Sequence, residues 1–213
     1  LFVLILQIGI FAQSGEFDLG IKSANSGNFQ TALQHFQNSF DHSISVKKSA
    51  QIHYNLGVCF YQLKQTNAAI TEFEQAAQLF PQYAKAFYAL GMAHTDLRNF
   101  NEAEDAFRQS LKLSNNGETW FDLALVLFEL KKYDDSAQSF ENAIKFGSVA
   151  VAASHNNLGV VYAMQGNLYS AKKELEVSEK LNFIEAANNL NIVRNALATN
   201  DKTLIAKLIL KEK

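Results

Sequence analysis

The sequence predicts an all-α fold: a right-handed α-solenoid of about five helix–turn–helix repeats followed by a C-terminal helical cap. Three observations carry that expectation. A Leu-Gly landmark or close variant places residues 20, 57, 91, 124, 159 and 191 at intervals of 37, 34, 33, 35 and 32 residues. A second landmark trails each of the first five by twelve residues: Ala32 with Phe36, Ala69 with Phe73, Ala103 with Phe107, Ser136 with Phe140, and Ala171 with Leu175. Turn-prone pieces separate the two, among them Ser26-Gly27-Asn28, Arg98-Asn99 and Gln165-Gly166-Asn167. Self-similarity at one period marks a stack of units. Apolar positions four apart share one helix face, so each landmark sits on a helix. With 213 residues, 48% of them hydrophobic, the chain has a core's worth of apolar side chains for one domain or one elongated stack.

Residues 1–14 stand apart from the repeats. The run Leu1–Ala12 is uncharged, and Ala12-Gln13-Ser14 follows it as a small-x-small cleavage pattern. It reads as a signal peptide, removed near Gln13 to Gly15. An apolar first helix packed on the stack is a second reading. A membrane anchor is a third, although about 20 apolar residues are needed to span a bilayer. The mature chain is expected to have no membrane span.

Helix pairs then follow at 15–25 and 29–41, 49–63 and 67–79, 84–97 and 100–113, 117–130 and 133–146, and 151–164 and 168–181. A sixth pair is predicted at 184–197 and 201–211. No single pair can bury its apolar face alone, so neighbours must stack. Small residues at the two landmarks are expected to face each other and let helix backbones approach. The repeats occupy residues 15–199, and residues 200–213 form a capping helix. Leu204, Ile205, Leu208 and Ile209 give that helix an apolar stripe, and Lys202, Lys207, Lys211 and Lys213 a basic face.

The landmarks resemble the tetratricopeptide repeat, whose pattern runs Trp-x2-Leu-Gly-x2-Tyr, then Ala-x3-Phe, then Pro. Trp120 stands in the Trp slot, Tyr162 in the Tyr slot and Pro81 in the Pro slot, and Leu-Gly is intact at 19–20, 56–57, 90–91 and 158–159. Departures are His53, Phe87 and His155 in the Trp slot and Ala124 for Gly. The resemblance covers about residues 14–199 and implies the fold. It says almost nothing about the ligand.

Chemistry is sparse. Of five histidines, His53, His94 and His155 occupy helix-packing slots, and no two histidines fall at i, i+4. Cys59 lies between Val58 and Phe60 inside a helix. Phosphate loops, nucleophile elbows and zinc motifs do not occur. The expectation is no enzyme, no catalytic residue, no metal and no cofactor.

One stripe rises above scaffold. Beside the packing face of each first helix runs a second line at i, i+4, i+7: Phe17, Ile21, Ala24; Tyr54, Val58, Tyr61; Tyr88, Met92, Thr95; Phe121, Leu125, Phe128; Asn156, Val160, Ala163. The family resemblance implies that this face lines a concave groove. Candidate groove residues are Tyr54, Tyr61, Tyr88, Phe121 and Phe128, with Lys85, Glu118, Asp122 and Glu129 as polar neighbours. Packing and binding overlap on this stripe. Aromatic walls with an acidic centre fit a protein or peptide segment with apolar anchors and a Lys or Arg.

The leading functional expectation is an exported, periplasmic or extracellular, interaction scaffold that holds such a segment. If residues 1–14 are no signal peptide, the chain is cytoplasmic or membrane-associated. A self-assembling structural element is the rival reading. An RNA-binding helical repeat comes third, opposed by a net charge of −2 and the missing basic stripe.

Overall fold

The computed structural model describes residues 15–40 and 45–210, all helix, turn or irregular backbone. Residues 1–14, where a signal peptide is expected, lie outside them. The chain forms two compact units, meeting in sequence at Asn99 and Phe100, where the sequence reading ran residues 15–199 as one stretch.

The first unit holds α1 (15–25), α2 (Phe29–Asn38), α3 (Val46–Gln62), α4 (Thr66–Leu79) and α5 (Ala84–Asp96). The second holds α6 (Phe100–Leu113), α7 (Gly117–Glu129), α8 (Tyr133–Lys145), α9 (Val151–Met164), α10 (Leu168–Lys180) and α11 (Ile184–Thr199). These helices match the predicted pairs to within a few residues at each end, so the all-α repeat fold is the one the sequence announces. Among the described residues, no helix is long and apolar enough to cross a membrane.

Local chemistry sets the helix ends. Ser45, Asn116 and Asn167 cap α3, α7 and α10, each side chain accepting a main-chain N–H three residues on. Every turn inside a repeat carries one left-handed residue, seven positions after the glycine landmark: Gly27, Lys64, Arg98, Lys131 and Gly166, with φ of 77°, 62°, 59°, 59° and 82°. That conformation ends the first helix and lets the chain double back.

Packing inside the pairs differs from the expectation in one respect. The landmark glycines face the large residue of the second helix, and at Gly159 the small one too, whose Ala171 carbonyl lies 3.1 Å from where a Cβ would stand. A Cβ on Gly57 would sit 2.5 Å from the Phe73 ring, one on Gly20 2.6 Å from Phe36, and one on Gly159 2.7 Å from Leu175. The bare backbone makes room for the side chain that seals the pair. Where Ser136 replaces Ala, its hydroxyl donates to the Ala124 carbonyl at 2.7 Å. Phe36 is buried with Ile52, Leu56 and Cys59 in the first unit, and Phe140 with Phe121 and Leu158 in the second.

The C-terminal cap is also shorter than predicted. A 3₁₀ turn over Lys202–Lys207 replaces the helix expected to residue 211, and Leu208 is extended. Asp201 caps the turn, and Ile205 is buried against Leu190 and Val193 of α11. The helix fails because Ile209 gives its main-chain N–H and C=O to the side chain of Asn189 instead of to its own chain.

Candidate functional site

The nine candidate residues divide between the units. Tyr54, Tyr61, Lys85 and Tyr88 lie on α3 and α5; Glu118, Phe121, Asp122, Phe128 and Glu129 lie on α7.

In the first unit Tyr54 is half-buried, its ring 5.8 Å from Phe73 and 5.1 Å from Tyr83. It is wedged against its own second helix and the turn into α5, which makes it a packing residue. Burial pushes its phenol up. Burial first, and then the neighbouring Tyr54, pushes that of Tyr83 up to about 12. Tyr61 and Tyr88 are half-buried and Lys85 is exposed. Phe17, on the same stripe in α1, is covered by Lys48, whose ammonium stands 3.1 Å above the ring centre.

In the second unit Phe121 is corrected outright. Its side chain is 0% exposed and meets Phe140 edge to face at 5.5 Å. A side chain without surface cannot anchor a ligand. The cause is the composition of α7, where Leu123, Ala124, Val126 and Leu127 are buried alongside it, so apolar contact extends well beyond one stripe of the helix. Glu118 is half-buried. Its Oε1 accepts the Ser148 hydroxyl at 3.0 Å and the Val149 N–H at 2.6 Å, tying the turn before α9 to the start of α7. Asp122 is buried at 8% exposure. Of the three acidic candidates Glu129 is the exposed one. Phe128 is half-buried, with its ring 5.4 Å from Tyr133.

The sequence reading missed a polar cluster on the same face. Asn156 of α9 and Asn189 of α11 are both fully buried. Nδ2 of Asn189 donates to Oδ1 of the Asn156 side chain at 2.9 Å. Asn156 stands on the second stripe of its helix, and nothing in its spacing from Asn189 marks the two as polar core.

Two family models, each described as tetratricopeptide repeat, match this chain: one over residues 48–116, the other over 88–150 and 121–171, together more than half of it. The chain belongs to the tetratricopeptide-repeat family. It is 22% identical over 205 residues to BBSome complex member BBS4 of Bos taurus, covering 88% of this chain and 39% of that protein. It is also 22% identical over 191 residues to Tetratricopeptide repeat protein 1 of Schizosaccharomyces pombe, covering 83% of this chain and 18% of that one. It thus spans well under half of either relative. A solved structure of MamA superposes with a TM-score of 0.71 at 20% identity, covering 79% of this chain and 90% of that one. MamA from Desulfovibrio magneticus RS-1, residues 41 to the end, gives 0.71 at 15% identity, covering 80% and 94%. At such identities the likeness shows the fold alone.

The tetratricopeptide Trp slot has an unusual filling here. Nδ1 of His53 lies 2.7 Å from Oε2 of Glu72, and Nδ1 of His155 lies 2.7 Å from Oε2 of Glu174. In the first repeat the pair is reversed: Glu16 holds the slot and His35 answers it at 2.8 Å. Each pair bridges the two helices of one tetratricopeptide unit across nineteen positions. Trp120 fills its own slot with an indole that donates to Asn115 at 2.6 Å. These histidines clasp helix pairs.

Proposed function

We propose that the chain is a protein-interaction scaffold that holds a peptide or protein segment on the faces of its first helices. Tetratricopeptide repeats generally bind proteins or peptides. The observation that carries the reading here is the placement of Tyr61 and Phe128. Each is a half-buried aromatic near the end of a first helix, and each is followed by an exposed polar residue, Gln62 and Glu129. Such aromatics supply apolar area at low entropic loss and are the usual anchors of an interface.

The test is selection of peptides from a displayed random library against the full chain. Selected peptides are expected to carry apolar anchors and a Lys or Arg. Tyr61→Ala or Phe128→Ala should weaken them by about 1–3 kcal/mol with little change in melting temperature. Glu129→Lys should weaken them most at low salt, where screening is least. Glu102→Lys, on the exposed face of a second helix, should have no effect. Peptides indifferent to all three face variants would sink the reading.

Export is the second part of the proposal. It rests on the uncharged run of residues 1–12 and the Ala12-Gln13-Ser14 pattern behind it. Mass spectrometry of chain recovered from the producing cell should find a new N-terminus between Gln13 and Gly15. An intact Leu1 in a soluble cytoplasmic fraction would refute it.

A further inference from the structure

After the 3₁₀ turn the chain lays an extended segment on the second unit. Leu208 has φ −68° and ψ 145°. Leu208 and Leu210 are half-buried, while Ile209 between them is 47% exposed. This is the alternation of a strand, yet it is held by side chains. Asn189 donates from Nδ2 to the Ile209 carbonyl at 2.8 Å and accepts the Ile209 N–H on Oδ1 at 3.1 Å. One carboxamide thus reads both main-chain groups of one residue. The second proton on Nδ2 goes to Asn156, whose own Nδ2 donates to Asn157 at 3.1 Å and reaches the Ile209 carbonyl at 3.5 Å.

Two buried carboxamides are stable only when their donors and acceptors are met. Here a foreign stretch of main chain, twenty residues beyond Asn189 in sequence, meets them. The recognition is of backbone, with Leu208 packed against the cluster of Ala163, Leu168 and Leu190 as its apolar anchor. A clamp of this kind takes main chain for affinity and alternate side chains for preference, the logic by which extended peptides are bound elsewhere. It has no means of telling the chain's own segment from another of the same pattern.

Building on the reading of first-helix faces as peptide sites, we infer that the α9–α11 face around Asn156 and Asn189 is a main-chain binding site for extended segments with apolar residues at alternate positions. Residues 208–210 occupy it in cis. A partner segment must displace them, and its apparent affinity falls by the fraction of molecules in which the site is closed. Ile205 stays buried upstream, so displacement involves only the residues after the turn.

The experiment uses a labelled peptide with the sequence of residues 204–213, Leu-Ile-Ala-Lys-Leu-Ile-Leu-Lys-Glu-Lys, titrated against the full chain by fluorescence anisotropy. Ile209→Pro removes the N–H that Asn189 accepts, and the extended backbone of Leu208 already suits a following proline. That variant should bind the peptide at least tenfold more tightly than the unaltered chain. Adding Asn189→Asp, which removes the donor to the carbonyl, should abolish the gain. Equal affinity of the Ile209→Pro and unaltered chains, or tight binding kept by the double variant, overturns the inference. Hydrogen exchange on the unaltered chain gives a second measurement that needs no variant. The Ile209 amide should exchange through a local opening, faster than the amides of Leu190 and Val193. Exchange at their rate would mean that the segment leaves only on unfolding, and would also overturn the inference. Neither result bears on Tyr61 and Phe128, so failure here is distinct from failure of the peptide-binding reading.

Discussion

Gly117, the first residue of α7, packs against the main chain of Ser148 in the turn before α9, and a Cβ there would collide with the Ser148 amide nitrogen. The Ala143 carbonyl closes the other side, 2.8 Å from the same point. Backbone cannot swing away as a ring can. Gly117→Ala should therefore destabilise the chain more than Gly57→Ala, whose Cβ meets only the Phe73 ring. Overpacking of this kind costs about 1–3 kcal/mol, with Gly117→Ala at or above the upper end. Gly15→Ala, where nothing lies within 4 Å, should stay within about 0.5 kcal/mol. Urea denaturation of the three variants checks the order.

The reversed pair of the first repeat predicts that the clasp tolerates exchange. Glu72→Ala and His53→Ala should each destabilise, with a coupling of about 0.5–3 kcal/mol in a double-mutant cycle. The swapped variant, His53→Glu with Glu72→His, should recover most of that coupling, because Glu16 and His35 already use that arrangement at 2.8 Å. Either half of the swap alone sets like groups against each other and should be worse than both together. Thermal melts of the unaltered chain, the alanine variants, the two halves and the swap decide it.

Lys64 and Lys131 hold a left-handed backbone that glycine holds at positions 27 and 166. A side chain in that region costs roughly 1–2 kcal/mol, and glycine loses about 0.5–1 kcal/mol of that advantage through unfolded-state entropy. Lys64→Gly and Lys131→Gly should thus stabilise by a few tenths to about 1 kcal/mol. Glycine introduced at the helical neighbour Gln62 should do the opposite. A fall in melting temperature for both Lys variants would contradict the account of the turn.

Glu104 is buried on α6, 2.6 Å from the Lys132 ammonium and 2.9 Å from Arg108. Burial pushes its carboxyl up, but the hydrogen bonds and charges of Lys132 and Arg108 outweigh burial and hold it below the usual 4.5. A carboxylate depressed on folding contributes stability that is present above its unfolded value and is lost as pH falls towards the folded one. Both cations are nearly half exposed, so solvent screens the pair and the contribution is on the order of 1 kcal/mol, or about 2–4 °C at this size. Glu104→Gln should melt lower than the unaltered chain near pH 6, and the gap should close as pH falls below about 4.5.

The helix pairs were legible because each landmark repeats locally: Leu56-Gly57 and Ala69 with Phe73 lie within one unit, and periodicity reports contacts of that range. What escaped was long-range or two-sided. Leu204, Ile205, Leu208 and Ile209 have helical spacing, yet Asn189, twenty residues earlier, takes the main chain of Ile209. Glu118 looked like an acidic groove residue, but its partners are thirty and thirty-one residues away. Phe121 lies on the second apolar stripe, where packing and binding share one pattern, and Phe140 of the second helix covers it. A stripe pattern shows that a face is apolar; it does not show what covers the face. The candidate site was thus legible as a set of helix faces and much less so residue by residue.

The histidine–glutamate clasps are closed within a single helix pair, both halves encoded within about twenty codons. A gene segment that is duplicated or excised at that period carries the whole clasp with it. The new neighbour inherits no unmatched charge, whichever of the two polarities the copy has. The asparagine cluster has the opposite inheritance, since its members belong to two successive repeats and a later segment. Shuffling repeats leaves the clasps intact and breaks the cluster.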